Sequence, residues 1–220
     1  MGGAQYARMM KRVAKPAVFA AALVPAAFLA YGLWYGDLGP NPAETLQLQT
    51  GIWSLRFLVF TLAITPIRRI TKCNVAIQYR RMLGLFAFFY STLHLLTYVV
   101  FDRYFDFSGV WEDVAKRPFI TMGMIAFALM VPLALTSTKG WIRRLGKRWT
   151  LLHRLIYFSA IAAAIHYLWK VKVVIGSPVY YAVIVGVLLA FRVFWEVRRR
   201  ALRRTTGDTP PRRSLRETQG

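Results

Sequence analysis

Six apolar runs, most of them roughly 20 residues long, decide what this chain can become. They lie at about 17–36, 51–67, 82–101, 119–138, 150–169 and 178–197. About 20 apolar residues in helical form cross the roughly 30 Å hydrocarbon core of a bilayer, and a helix satisfies its own backbone hydrogen bonds there. A water-soluble domain would interrupt such runs with polar helix faces. The pattern predicts an all-α integral membrane protein, a six-span transmembrane helix bundle. Connections of about 15 residues at most leave no room for a soluble domain between spans.

The net charge of +21 raises nucleic acid as a partner, but its distribution excludes that class. Lys and Arg fall in short clusters between apolar runs, as topology signals do. With a cytoplasmic N-terminus, that side carries the clusters at 8–15, 68–81, 139–148 and 198–216. The opposite side carries only Arg103, Lys116, Arg117, Lys170 and Lys172, together with the acids Asp37, Glu44, Asp102, Asp106, Glu112 and Asp113. Both termini are thus expected in the cytoplasm of a bacterial cell, the chain lying in the inner membrane among lipid. Residues 1–16 read as a cytoplasmic segment, 17–197 as the six-helix domain and 198–220 as a disordered basic tail. The first run continues through Tyr31, Trp34 and Tyr35, longer than a signal-peptide core, and reads as a retained span. The single cysteine, Cys73, rules out an intrachain disulfide and a cysteine-based metal site. No internal repeat is evident beyond the spans.

The three histidines all fall inside spans. His94 lies on the third, and His153 and His166 lie near opposite ends of the fifth. Packing against a carbonyl is the ordinary explanation for one such residue, but intramembrane ionisable groups are costly and usually functional. His94 and His166 fall at compatible depth, in the outer half of the predicted topology. Neutral imidazole ligates iron, zinc or copper. With no carboxylate or thiol inside the spans, except Glu196 at an end, two imidazoles suit a haem, which needs only two protein ligands and an apolar slot. His153 and His166 are 13 residues apart, a rise of about 20 Å but a rotation of about 140° on an ideal helix. Either that helix departs from ideal geometry or the two face different partners. A second bis-histidine site would need a histidine 13 or 14 residues before His94, where Arg81 and Arg80 stand. The inner partner of His153 is missing.

Arg154 and Arg81 are candidates for holding haem propionates or a flavin phosphate, since guanidinium pairs with such groups; snorkelling to the headgroups is the alternative, and the favoured one for Arg192. Aromatic residues on the third and fifth spans read as packing or interfacial belt. Pro66 and Pro132 mark kinks or helix ends. The stretch GPNPAETLQLQTG reads as an outer loop and, with 102–117, as most of the external surface. No dinucleotide fingerprint or P-loop is present, so a reductant must come from another protein or from a membrane quinone.

Several stretches together carry a family likeness: GPNPAETLQLQTGIWSLRFL (39–58), LAITPIRR (62–69), RRMLGLFAFFYSTLHLLTY (80–98), KRPFITMG (116–123), PLALTST (132–138), RLGKRWTLLHRLIY (144–157) and HYLWKVK (166–172). In these the chain resembles the MsrQ (YedZ) family, the haem-bearing membrane subunits of the MsrPQ methionine sulfoxide reductase system. That family is similar to the ferric-reductase-like transmembrane domains, including the membrane part of NADPH oxidases. The resemblance implies b-type haem, one or two per chain, with His94, His153 and His166 as axial ligands to iron. It implies electrons taken from the quinone pool or a cytosolic flavin reductase and delivered to the periplasmic molybdopterin subunit MsrP, which repairs oxidised proteins. Flavin mononucleotide (FMN) is also attributed to the family. The wider oxidase pattern has a second third-span histidine where this chain has arginine.

These readings make the chain an electron-transfer subunit with no catalytic residue of its own. Two alternatives stand beside it: a self-sufficient ferric or oxygen reductase of cytochrome b type, and a transporter or structural bundle with pH-sensitive or packing histidines.

Overall fold

The computed structural model describes residues 3–72, 74–170 and 177–205, and within them every regular element is helical. Six stretches are long and apolar enough to cross a membrane. They are carried by α1 (Gly3–Tyr35), α2 (Pro42–Thr71), α3 (Arg80–Thr97) extended by a π-helical turn (Tyr98–Asp102), α5 (Pro118–Leu135), the pair α7 (Lys147–Leu152) and α8 (Leu155–Lys170), and α9 (Ser177–Thr205). Two short helices lie outside the spans, α4 (Phe107–Lys116) and α6 (Lys139–Leu145). Cys73, Lys172 and the tail from 206 lie outside the described residues.

Three boundaries differ from expectation. The GPNPAETLQLQTG stretch is not a loop. Asn41 caps α2 by accepting from the Glu44 N–H at 3.2 Å, and Pro42 occupies the first turn, where its missing N–H costs nothing. Leu46 and Thr50 are buried as a result. At the N-terminus, α1 already begins at Gly3. At the other extreme α9 continues past Arg198 to Thr205, with Glu196 paired to Arg199 and Arg200 on its surface.

Lipid gives helices no hydrophobic reason to associate, so small residues and interhelical hydrogen bonds hold such bundles. Two hairpins dominate. In the first, α2 packs on α3, and Ser54 Oγ donates to the Ala87 carbonyl at 3.0 Å. In the second, α5 packs on α8, and the buried Ser159 Oγ donates to the Ala126 carbonyl at 2.9 Å, flanked by buried Ala160, Ala162 and Ala164. Phe57, Phe86 and Tyr90 stack in the core of the first hairpin. Tyr90, fully buried, also holds α1: its hydroxyl donates to the Ala22 carbonyl at 2.8 Å and accepts from the Ala26 N–H at 3.0 Å. It is inserted into the helix ladder beside Pro25, where a kink is expected. Large apolar side chains such as Phe28, Phe158, Val187 and Phe194 are left exposed on the outside, as a lipid-facing surface requires.

Candidate functional site

The two hairpins are built alike around one histidine each. His94 on α3 places Nδ1 at 2.9 Å from the Gln47 carbonyl of α2. His166 on α8 places Nδ1 at 2.6 Å from the Phe119 carbonyl of α5. A carbonyl only accepts, so both imidazoles carry their proton on Nδ1 and leave the Nε2 lone pair free, the arrangement of a metal-ligating histidine. One turn on from each carbonyl stands a glycine against the ring. A Cβ at Gly51 would lie 3.1 Å from His94 Nδ1, and one at Gly123 would lie 2.8 Å from His166 Nδ1. Only glycine lets these helices approach so closely.

The correspondence has a fixed offset of 72 residues, carrying Gln47 to Phe119, Gly51 to Gly123 and His94 to His166. The same offset carries Ser54–Ala87 onto Ala126–Ser159 with donor and acceptor exchanged between the helices. No repeat was legible in the sequence because, of these positions, only Gly51–Gly123 and His94–His166 share a residue identity. It also carries Arg81 onto His153, so the arginine stands where a second inner histidine would.

The two rings meet across the hairpins with centres 6.0 Å apart and planes at 73°. A metal–imidazole bond is about 2.0 Å, so two imidazoles on opposite sides of one metal have centres about 6 Å apart; the spacing fits. Among the described residues no three His, Cys, Asp or Glu side chains gather to hold a bare metal ion. A metal here must bring its other ligands with it, as haem iron does.

The structure brings His94 and His166 together, and His153 is apart from them. His153 closes α7 with φ −70° and ψ −2°. The chain then makes a tight turn in which the Arg154 N–H bonds the Leu151 carbonyl and the Tyr157 N–H bonds the Arg154 carbonyl. The fifth span therefore departs from ideal geometry at His153 itself, and the 140° rotation of a continuous helix does not apply. The His153 ring stacks on Trp149 at 3.8 Å, Nδ1 lies 3.1 Å from the Trp149 carbonyl, and the buried Nε2 has no hydrogen-bond partner. It borders a cavity of about 480 Å³ at the basic end of the bundle, a size suited to a cofactor. Arg81 and Arg154 line this cavity, as does Arg80, which is more buried than either. No acidic residue lines it, so the chemistry of the cavity favours an anionic group.

Two features escaped the sequence. Arg192 does not snorkel. It donates to the Leu62 carbonyl at 2.8 Å, to Thr65 Oγ1 at 3.0 Å and to the Tyr157 hydroxyl, all inside the bundle. Asp113 on α4 is buried and is held by Tyr98, Arg103 and Arg117, which come from the end of the first hairpin and the start of α5. Burial pushes its carboxyl up, but the hydrogen bonds from Arg103 and Tyr98 and the Arg117 charge outweigh that and hold it below the usual carboxylate range. A lone acid in an external loop gives no sequence signal of this kind.

The family model for the ferric reductase like transmembrane component matches residues 50–164, from within α2 to within α8. A protein of Herminiimonas arsenicoxydans described as "Protein-methionine-sulfoxide reductase heme-binding subunit MsrQ" is 49% identical, covering 85% of this chain and 87% of that protein. Proteins of the same description from Rhodospirillum rubrum and Xanthomonas euvesicatoria pv. vesicatoria are each 45% identical, covering 91% and 90% of this chain and 97% and 93% of theirs. The chain belongs to the MsrQ family. No solved structure matches it significantly. Within the MsrQ family frame, His94 lies inside the stretch matched by the transmembrane-component model and His166 two residues beyond its end, while the MsrQ relatives cover 85–91% of the chain.

Proposed function

We propose that this chain is the haem-binding membrane subunit of a methionine sulfoxide reductase system. His94 and His166 are the axial ligands of one b-type haem. The observation that carries this reading is the facing pair of imidazoles 6.0 Å apart, each with Nδ1 committed to a backbone carbonyl. When bound, haem supplies one-electron redox chemistry at its iron. The chain itself contributes two neutral imidazoles, each fixed by a backbone carbonyl. At the basic end, His153 with Arg80, Arg81 and Arg154 holds a second anionic group, either a haem b through its propionates or FMN through its phosphate. The unpartnered His153 Nε2 and the acid-free cavity support that assignment.

The basic end faces the cytoplasm, with both termini inside, by the asymmetry of Lys and Arg. Electrons enter there from the quinone pool or a cytosolic flavin reductase. They leave at the histidine-pair end to a periplasmic molybdopterin subunit, MsrP, in the inner membrane's outer compartment, where oxidised proteins are repaired.

The purified, haem-replete protein should show the spectrum of low-spin, bis-imidazole haem. His94→Ala and His166→Ala should each abolish it, and full haem retention in both would sink the pairing. Haem and flavin stoichiometry on the wild type and on His153→Ala should show loss of one group at the basic end only. Reduced protein should be re-oxidised by MsrP. Re-oxidation by ferric chelates alone would instead support a self-sufficient reductase.

A further inference from the structure

Asp113 is the only buried carboxylate among the described residues, 4% exposed. It lies outside the spans yet joins both hairpins. On one side, Oδ2 accepts the Tyr98 hydroxyl hydrogen bond at 2.5 Å and pairs with Arg103, whose Nε reaches the same hydroxyl at 3.3 Å. Tyr98 is one turn beyond His94, and its backbone N–H bonds the His94 and Leu95 carbonyls. On the other side, Oδ1 pairs with Arg117 Nε at 3.1 Å. Arg117 caps α5, two residues ahead of Phe119, whose carbonyl orients His166. A second stitch runs alongside: Thr121 Oγ1 donates to the Val114 carbonyl at 2.6 Å, two residues before Gly123.

These groups act on the imidazoles through the backbone: Tyr98 is one turn beyond His94, and Arg117 and Thr121 are each two residues from Phe119. The carboxylate ties the exit of the first hairpin to the entry of the second. We infer that Asp113 is a positioning residue for the His94–His166 pair, fixing the separation and the angle of the two rings. The role presupposes the reading above, in which that pair holds a haem iron. A carboxylate serving only to anchor α4 would need neither Tyr98 nor Arg103, since Val110 is buried and Thr121 already joins α4 to α5. A buried acid left without its cations, or the reverse, is strongly unfavourable, so the three partners move together or not at all.

The test compares wild type, Asp113→Asn, Asp113→Glu and a control, Glu112→Gln, which removes the exposed Glu112–Lys116 pair of α4 and leaves the Asp113 carboxylate in place. Three readouts are taken on purified full-length protein: haem affinity, reduction potential, and the low-spin electron paramagnetic resonance signal, whose largest g value reports the angle between axial imidazole planes. Asp113→Asn should shift and broaden that signal, move the potential and weaken haem binding roughly tenfold, the lower end of what supporting residues around metal ligands contribute. Asp113→Glu should restore the signal in part, and Glu112→Gln should leave it unchanged. If Asp113→Asn does not accumulate, Tyr98→Phe removes one bond and no charge and must shift the signal in the same direction. A wild-type signal and potential in the variant that is measured, Asp113→Asn or Tyr98→Phe, overturns the role. Absence of any bis-imidazole signal in the wild type overturns the haem reading itself, and is distinguishable from the former.

Discussion

Replacing Gly123 with alanine separates the demands of the helix from the demands of the imidazole. In an ordinary helix interior, alanine is more stable than glycine by about 0.5–1 kcal/mol. Here the new Cβ would lie 2.8 Å from His166 Nδ1 and 3.0 Å from its Cε1. Favourable carbon contacts lie at about 3.5 Å or more, so ring and helix must part by about 0.7 Å. The ring has little freedom to give way, since Nδ1 is bonded to the Phe119 carbonyl on the same helix as the new methyl group. Overpacking of this kind costs about 1–3 kcal/mol, which corresponds to a fall in haem affinity of roughly 5- to 140-fold. Gly51→Ala, with its closest ring contacts at 3.1 Å, needs a smaller shift and should fall at the low end. Gly186→Ala, whose Cβ meets nothing within 4 Å, is the control. The assay is haem titration into apoprotein in detergent, followed in the Soret region, with thermal unfolding of the apoprotein in parallel. The expected outcome is an apoprotein that gains none of alanine's helix preference and is at most as stable as wild type, and that binds haem more weakly, in the order Gly123, Gly51, Gly186. Wild-type haem affinity in Gly123→Ala, or an equal loss in Gly186→Ala, would refute the reasoning.

Tyr90→Phe removes a hydroxyl with two backbone partners on α1, at a cost of about 1–3 kcal/mol; faster hydrogen exchange confined to α1 should report it. Arg192→Lys should lower thermal stability by about 1–3 kcal/mol, because one ammonium cannot reproduce the fork that reaches Leu62, Thr65 and Tyr157; a snorkelling arginine would tolerate the change. Because the Asp113 carboxyl is held below its ordinary value, its contribution to stability is complete above the unfolded-state value of about 3.9 and is lost as pH falls through the lower folded value. The thermal midpoint of wild type relative to Asp113→Asn should therefore be constant from neutral pH to about 4 and shrink below that, and a gap that closed at neutral pH would exclude the effect.

Much of the bundle was legible because its determinants are local. Length and apolarity alone mark a span, and all six predicted runs fall in helices of the right kind. The errors lie at the ends, where capping decides. Asn41–Pro42 turned a presumed loop into the first turns of α2, and that extension matters, since the Gln47 carbonyl within it orients His94. Arg192 was misjudged because a charged residue within an apolar run looks the same whether it reaches the headgroups or a carbonyl inside the bundle. The pairing of His94 with His166 could be read from depth, but the atoms that prepare it could not.

The sequence by itself determined that this chain lives in a membrane, how many times it crosses, and which side chains can ligate a metal, because hydropathy, length and residue chemistry do not depend on neighbours. Tertiary structure alone decided that Gln47 and Phe119 offer carbonyls, that Gly51 and Gly123 offer space, that His153 stands at a break in its helix, and that Asp113 binds the two hairpins together. Each of those roles depends on contacts between residues far apart in the chain. The 72-residue correspondence is the clearest case: the two hairpins repeat hydrogen bonds and clearances at positions most of which differ in residue identity.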